Sequence, residues 1–136
     1  MAIHSLELPA TLSSLTTLEN FVRQAMEPAV PSPDVFRDIR LVLEELLVNI
    51  VFYAYPGEGG KVRVECSLDP GGKLCIRLRD WGIPFNPLEY PPPRLEGDMA
   101  EREIGGLGIH LVKQLAHEIR YFRQEDSNVL TVCFQL

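Results

Sequence analysis

The chain has no two basic residues in a row, no long apolar stretch, three cysteines and a single tryptophan. Each scarcity excludes something. A nucleic-acid reader clusters Lys and Arg to neutralise phosphates. Here 13 Lys and Arg are scattered among 19 Asp and Glu, for a formal charge of −6. A membrane-spanning helix needs about 20 apolar residues, and the longest stretches, Leu46–Val48 and Ile50–Tyr55, are short and split by Asn49. The N-terminal Met1-Ala2-Ile3-His4 lacks the basic and apolar segments of a signal peptide, so a cytoplasmic location is the expectation. Cys66, Cys75 and Cys133 form no C-x-x-C pair and are an odd number, which predicts small buried hydrophobes rather than a disulfide framework. His4, His110 and His117 have no metal-ligand spacing with each other or with a cysteine.

What remains is an ordinary globular composition, 46% apolar and 24% charged over 136 residues. That suits one domain, residues 1–136, with a core of its own. Glycine and proline are unevenly spread: 10 of the 21 lie between Gly82 and Gly108.

The periodicity predicts a strand over 3–9 and a helix capped by Thr11 or Ser13 and running to Met26. Ser32-Pro33-Asp34 supplies a capping hydroxyl, a proline at the first helical position and an acid in the first turn. The helix it starts runs to Tyr55, where Pro56-Gly57 ends it. Lys61–Leu68 and Lys73–Asp80 read as a hairpin joined by Asp69-Pro70-Gly71-Gly72. After Asp80 the pattern stops for about 24 residues, a length usually reserved for functional loops. Gly105-Gly106-Leu107-Gly108 opens an amphipathic helix, and strands Glu118–Arg123 and Val129–Leu136 follow around a turn at Glu125–Asn128. The order β-α-α-β-β-loop-α-β-β predicts an α+β two-layer sandwich, a mixed and mostly antiparallel sheet with helices on one face.

Three places carry polar or glycine residues that the fold alone does not demand. The second helix is apolar almost all round yet holds Glu45 and Asn49, four apart and therefore on one face. An unpaired buried amide costs about 1–3 kcal/mol and a buried carboxylate more. Either a core network compensates them, or the face lines a pocket, where a carboxylate can act as a base and an amide oxygen can ligate Mg2+. Glu44 points away and is expected to pair with Arg40 in solvent. Asp80-Trp81-Gly82 after a strand is either a plain turn or a fixed acceptor for an exocyclic amine, with Gly82 letting a flat base approach. Trp81 reads as a core or rim aromatic. Gly105 to Gly108 at a helix start is either a flexible entry or an anion site made of free N–H groups and the helix dipole. It is not a Walker A sequence, since no Gly-Lys-Ser/Thr follows. Between these edges, residues 87–104 are rich in proline and charge and read as a lid.

The ordered set Glu45-x-x-x-Asn49, Asp80-x-Gly82 and Gly106-x-Gly108 resembles the GHKL ATPases, the superfamily of gyrase, heat-shock chaperones, histidine kinases and MutL. Within it the chain is most similar to the stand-alone anti-sigma factor serine/threonine kinases, through its length, Glu44-Glu45-Leu46-Leu47-Val48-Asn49 and Gly105-Gly106-Leu107-Gly108-Ile109. The resemblance implies the histidine-kinase-like ATPase fold with ATP and Mg2+ as cofactors. It implies Glu45 as general base, Asn49 as the Mg2+ ligand and Asp80 with Gly82 at adenine. Gly105, Gly106, Leu107 and Gly108 would wrap the phosphates and 87–104 would be the ATP lid. Tyr53 stands where relatives often carry His or Asn, and Ile104 where many kinases carry an arginine near the γ-phosphate. Arg102 is the nearest cation to that place. The implied partners are an anti-anti-sigma (STAS-type) protein, phosphorylated on serine or threonine, and a sigma factor held by a kinase dimer. The alternatives are a non-catalytic nucleotide-binding module and the catalytic half of a split histidine kinase.

Overall fold

In the computed structural model, residues 3–57, 59–89 and 106–136 are described. Five strands, β1 (Ile3–Pro9), β2 (Lys61–Leu68), β3 (Lys73–Asp80), β4 (Glu118–Gln124) and β5 (Ser127–Gln135), form one sheet in the order β1-β2-β3-β5-β4. Every neighbouring pair is antiparallel, so the parallel component expected of a mixed sheet is not found among the described strands. Three helices, α1 (Leu15–Met26), α2 (Pro33–Asn49) and α3 (Gly106–Leu115), supply the second layer.

Strand alternation decides which face is covered. Leu74, Ile76 and Leu78 of β3 stand level with Phe134, Val132 and Leu130 of β5, and all six are buried under the helices. Leu18, Val22 and Met26 of α1 and Ile39, Val42, Leu43 and Leu46 of α2 close the core from above. Each such side chain contributes about 1.5–3 kcal/mol by leaving water. The residues between them in sequence, such as Arg77 and Thr131, face the opposite, helix-free side.

Four local expectations are corrected. No hydroxyl caps α1: Thr11 and Ser14 bond each other (3.2 Å), and Ser14 Oγ donates to the Pro9 carbonyl (2.8 Å) within a 3-10 turn at Leu12–Ser14. Ser32 does cap α2, accepting from the Val35 N–H at 3.2 Å. Arg40 pairs with Glu19 of α1 at 3.5 Å and not with Glu44, because it stands between the helices. The α2 geometry ends at Asn49, and Ile50–Ala54 continue as a π turn in which the Tyr55 N–H reaches back to the Ile50 carbonyl (3.1 Å). The extra residue re-aims the Ala54 carbonyl, which accepts from the Ile83 N–H at 2.9 Å and so ties the helix to the loop after β3. The last turn holds only Glu125 and Asp126, with Glu125 at φ 55°, so Ser127 and Asn128 belong to β5.

The cysteines also depart from expectation. Cys75 and Cys133 are directly opposite in the β3–β5 register, 4.1 Å apart at Cα, and are joined as a disulfide. Their separation of 58 residues hid this in the sequence. Cys66 is a buried thiol, pushed up to about 12 by its burial.

Candidate functional site

A narrow cavity of about 20 Å3 lies between α2 and the end of the sheet. Leu46 and Ile50 line it from the helical side, Leu78 and Leu130 from the sheet, and Phe85 and Pro87 from the loop after β3. Its polar groups are Asn49, Asp80, Tyr121 and Asn128. The strand register builds one wall: Asp80 is the last residue of β3 and pairs directly with Asn128 at the start of β5.

Asn128 is 3% exposed and uses its whole amide. Its Nδ2 donates to Asp80 Oδ1 and to the Ile83 carbonyl, both at 2.8 Å. Its Oδ1 accepts from Tyr121 Oη (2.5 Å) and from the Phe85 N–H (3.1 Å). Asp80 Oδ1 also accepts from the Gly82 N–H at 3.0 Å. Burial raises the Asp80 carboxyl above its ordinary range, opposed by the Asn128 and Gly82 hydrogen bonds and the Arg123 charge. Arg123 donates to the Gly82 carbonyl at 2.9 Å, which pins the turn from its other side. Gly82 has no room for a side chain, because a Cβ there would overlap the Ala54 carbonyl.

Asn49, on the opposite wall, is 2% exposed, and neither its Nδ2 nor its Oδ1 has a partner among the described residues. One turn earlier, about 6 Å along the axis, the Glu45 carboxylate lies against Gly108, where a Cβ would overlap it. Glu45 thus sits at the first turn of α3, beside the positive end of that helix. Its carboxyl is raised, first by burial and then by the neighbouring Glu44 charge.

The structure therefore brings Asn49 and Asp80 to one cavity and Glu45 to Gly108. Gly106 and Leu107 open α3. Tyr53 does not line the cavity; its ring stacks on Phe85 with centroids 5.1 Å apart and planes 13° apart. Lys113 Nζ donates to the Leu88 carbonyl (3.2 Å), at the start of the expected lid. Arg102, Gly105 and residues 90–104 of that lid lie outside the described residues. Sequence reading missed Asn128, Tyr121, Phe85 and Arg123. Asn128 was hidden by its assignment to a turn; a polar residue opening an otherwise apolar strand was the available signal.

A two-layer sandwich with a mostly apolar cavity, edged by Asn49, Asp80 and Asn128, at one sheet end and a glycine-led helix beside it is the architecture of a nucleotide-binding ATPase domain. The family model described as a histidine kinase-like ATPase domain matches residues 8–134, and the chain belongs to that family. Among relatives, it is 28% identical over 104 residues to a serine-protein kinase RsbW from Listeria innocua, covering 73% of this chain and 66% of that protein. It is 24% identical over 119 residues to an anti-sigma F factor from Halalkalibacterium halodurans, covering 84% and 81%. The chain thus spans just under two thirds of the RsbW relative. Among solved structures, the SiaB–SiaC complex from Pseudomonas aeruginosa matches with a TM-score of 0.67 at 14% identity, covering 96% of this chain and 88% of that one. The RsbU and RsbW domains of Rv1364c from Mycobacterium tuberculosis match at 0.64 and 16%, covering 100% and 33%. At these identities the two structures speak for the fold.

Proposed function

We propose that this chain is an ATP-binding anti-sigma regulatory factor that acts as a serine/threonine kinase on an anti-anti-sigma partner and also sequesters a sigma factor. The relatives named serine-protein kinase and anti-sigma F factor support the class. The observation that carries the site is the orphaned Asn49 amide facing the Asp80 wall. A buried amide without partners costs about 1–3 kcal/mol, and a ligand that satisfies it removes that cost.

In this reading the apolar walls Leu46, Ile50, Leu78 and Leu130 hold the adenine ring. Both bonds to Asp80 converge on Oδ1, which leaves Oδ2 for the exocyclic amine. Asn128 and Arg123 hold that carboxylate and its turn in place. Asn49 Oδ1 would hold Mg2+, a hard cation that favours oxygen ligands. When bound, Mg2+ would neutralise triphosphate charge. Gly105, Gly106, Leu107 and Gly108 would present backbone N–H groups to the phosphates, with Arg102 as a candidate cation. Tyr53 acts through its stack on Phe85, which is itself a wall of the site. Glu45 would take the proton from the partner's hydroxyl as that oxygen bonds to the γ-phosphorus and the bond to the β,γ-bridging oxygen breaks, releasing ADP, and its raised pKa suits a base.

Phosphate transfer from labelled ATP to the anti-anti-sigma partner tests this. Glu45→Ala should lower the rate by about 10²–10⁴-fold while Mg-ATP binding stays near wild type. Equal transfer by that variant would remove Glu45 from the chemistry. Ile104, in place of the usual arginine, favours a second reading, a nucleotide-binding interaction module without transfer. Tight Mg-ATP binding with no transfer to any partner would support it.

A further inference from the structure

The helix-free face of the sheet carries charge of one sign where the molecule as a whole carries the other. Its strands present six cations and three acids outward, in a chain of formal charge −6. Two of the acids are already used: Glu7 pairs with Lys61 (3.4 Å), and Glu118 pairs with Lys73 (2.5 Å) and, at the longer distance of 4.0 Å, with Arg120. The centre of the face is left with Arg63, Arg77, Arg79 and Arg120 around Glu65.

The register arranges these arginines in rows. Arg77, Thr131 and Arg120 stand side by side across β3, β5 and β4. That places the two arginines two strand spacings apart, about 10 Å, with Glu65 opposite Arg77 at the other side of the row. In the next row Arg63 of β2 is directly opposite Arg79 of β3. Like charges directly opposite in a sheet destabilise it. Among the described residues Arg63 and Arg77 make no hydrogen bond or ion pair; Arg79 donates from Nη2 to Gln124 Oε1 (2.7 Å), and its buried Nε has no acceptor. A 44%-exposed Phe122 lies in the same row at the β4 edge. Arginine beside an exposed aromatic is the composition of an interface core, because guanidinium desolvates more readily than ammonium and binds carboxylates bidentately.

We propose that this open sheet face is a docking surface for a partner protein with a carboxylate-rich surface, gripped by Arg63, Arg77, Arg79 and Arg120. Protein is favoured over nucleic acid or membrane by Glu65, Glu7 and Glu118, which interrupt the positive field that a continuous phosphate surface would need. The proposal is independent of the nucleotide site, which lies on the helical side of the sheet.

The test is anisotropy titration of fluorescein-labelled poly-L-glutamate with the full chain. Binding should weaken as salt rises. Arg77→Ala/Arg120→Ala should weaken it about tenfold, while Arg37→Ala/Arg40→Ala, an equal charge change on the helical layer, should leave it within about twofold. Arg63→Gln/Arg79→Gln should weaken it similarly, with circular dichroism showing the variant folded; it removes an opposed like-charge pair but also the Arg79 bond to Gln124. That pair carries the test if the first one fails to fold. Equal loss in the helical-layer control, or no binding by wild type, overturns the proposal. Tighter binding to a DNA duplex or to phosphatidylserine vesicles than to poly-L-glutamate overturns it in favour of that surface. A changed sedimentation coefficient in the arginine variants without any partner overturns it in favour of a second copy.

Discussion

The two walls of the cavity each contribute a buried asparagine, and the two are opposites. On the sheet wall, Asn128 fills all four of its hydrogen-bonding places with Asp80, Ile83, Phe85 and Tyr121. On the helix wall, Asn49 is as deeply buried and fills none. A saturated buried amide specifies structure; an empty one is a cost that the fold tolerates for another purpose. The sheet wall is therefore a scaffold, and in the proposed reading the helix wall is where the nucleotide's metal would be held.

Substitution should separate the walls. The largest stability effect belongs to Asn128→Ala, which strands the Asp80 carboxylate, two loop groups and the Tyr121 hydroxyl. Chemical denaturation should show a loss of about 2–4 kcal/mol, and a loss near zero would mean that the network is not what holds the loop. Gly82→Ala comes next. Its methyl must displace the Ala54 carbonyl, so a loss of about 1–3 kcal/mol is expected, together with weaker ATP binding as the π turn shifts. Wild-type stability in that variant would show the contact to be loose.

The smallest effect is in pH. The Glu45 carboxyl is raised in the fold by burial and by Glu44, so the folded state holds its proton to higher pH than the unfolded chain does. Between the ordinary glutamate value and the raised one, stability falls as pH rises, because the buried group must ionise. Transfer activity moves the other way, rising as the base deprotonates. Glu44→Gln removes the lesser cause and should slide the acidic limb of the rate profile toward lower pH. An unmoved limb would assign it to another group.

Much of this was legible beforehand. The hairpin of β2 and β3 was readable to the residue, because alternation and the Asp-Pro-Gly-Gly turn agree. Glu45 and Asn49 stood out because polar residues four apart on an apolar helix have no local explanation. What escaped depends on register, which no single segment encodes. Asn128 becomes a partner of Asp80 only once β5 lies beside β3, and Cys75 meets Cys133 for the same reason. The π turn escaped because Ile50–Ala54 keeps the apolar character of the helix before it. The contact that accompanies it, the Ile83 N–H on the Ala54 carbonyl, comes from a partner distant in sequence.

Calorimetric titration of Mg-ATP into Asn49→Ala, paired with its thermal unfolding, tests the central claim most directly. If the helix wall is kept polar for the nucleotide, affinity falls by about 10–100-fold, corresponding to about 1.4–2.7 kcal/mol, while the unfolding temperature holds or rises as an unsatisfied buried amide disappears. Unchanged affinity with a lowered unfolding temperature would contradict it, making Asn49 a structural residue like Asn128.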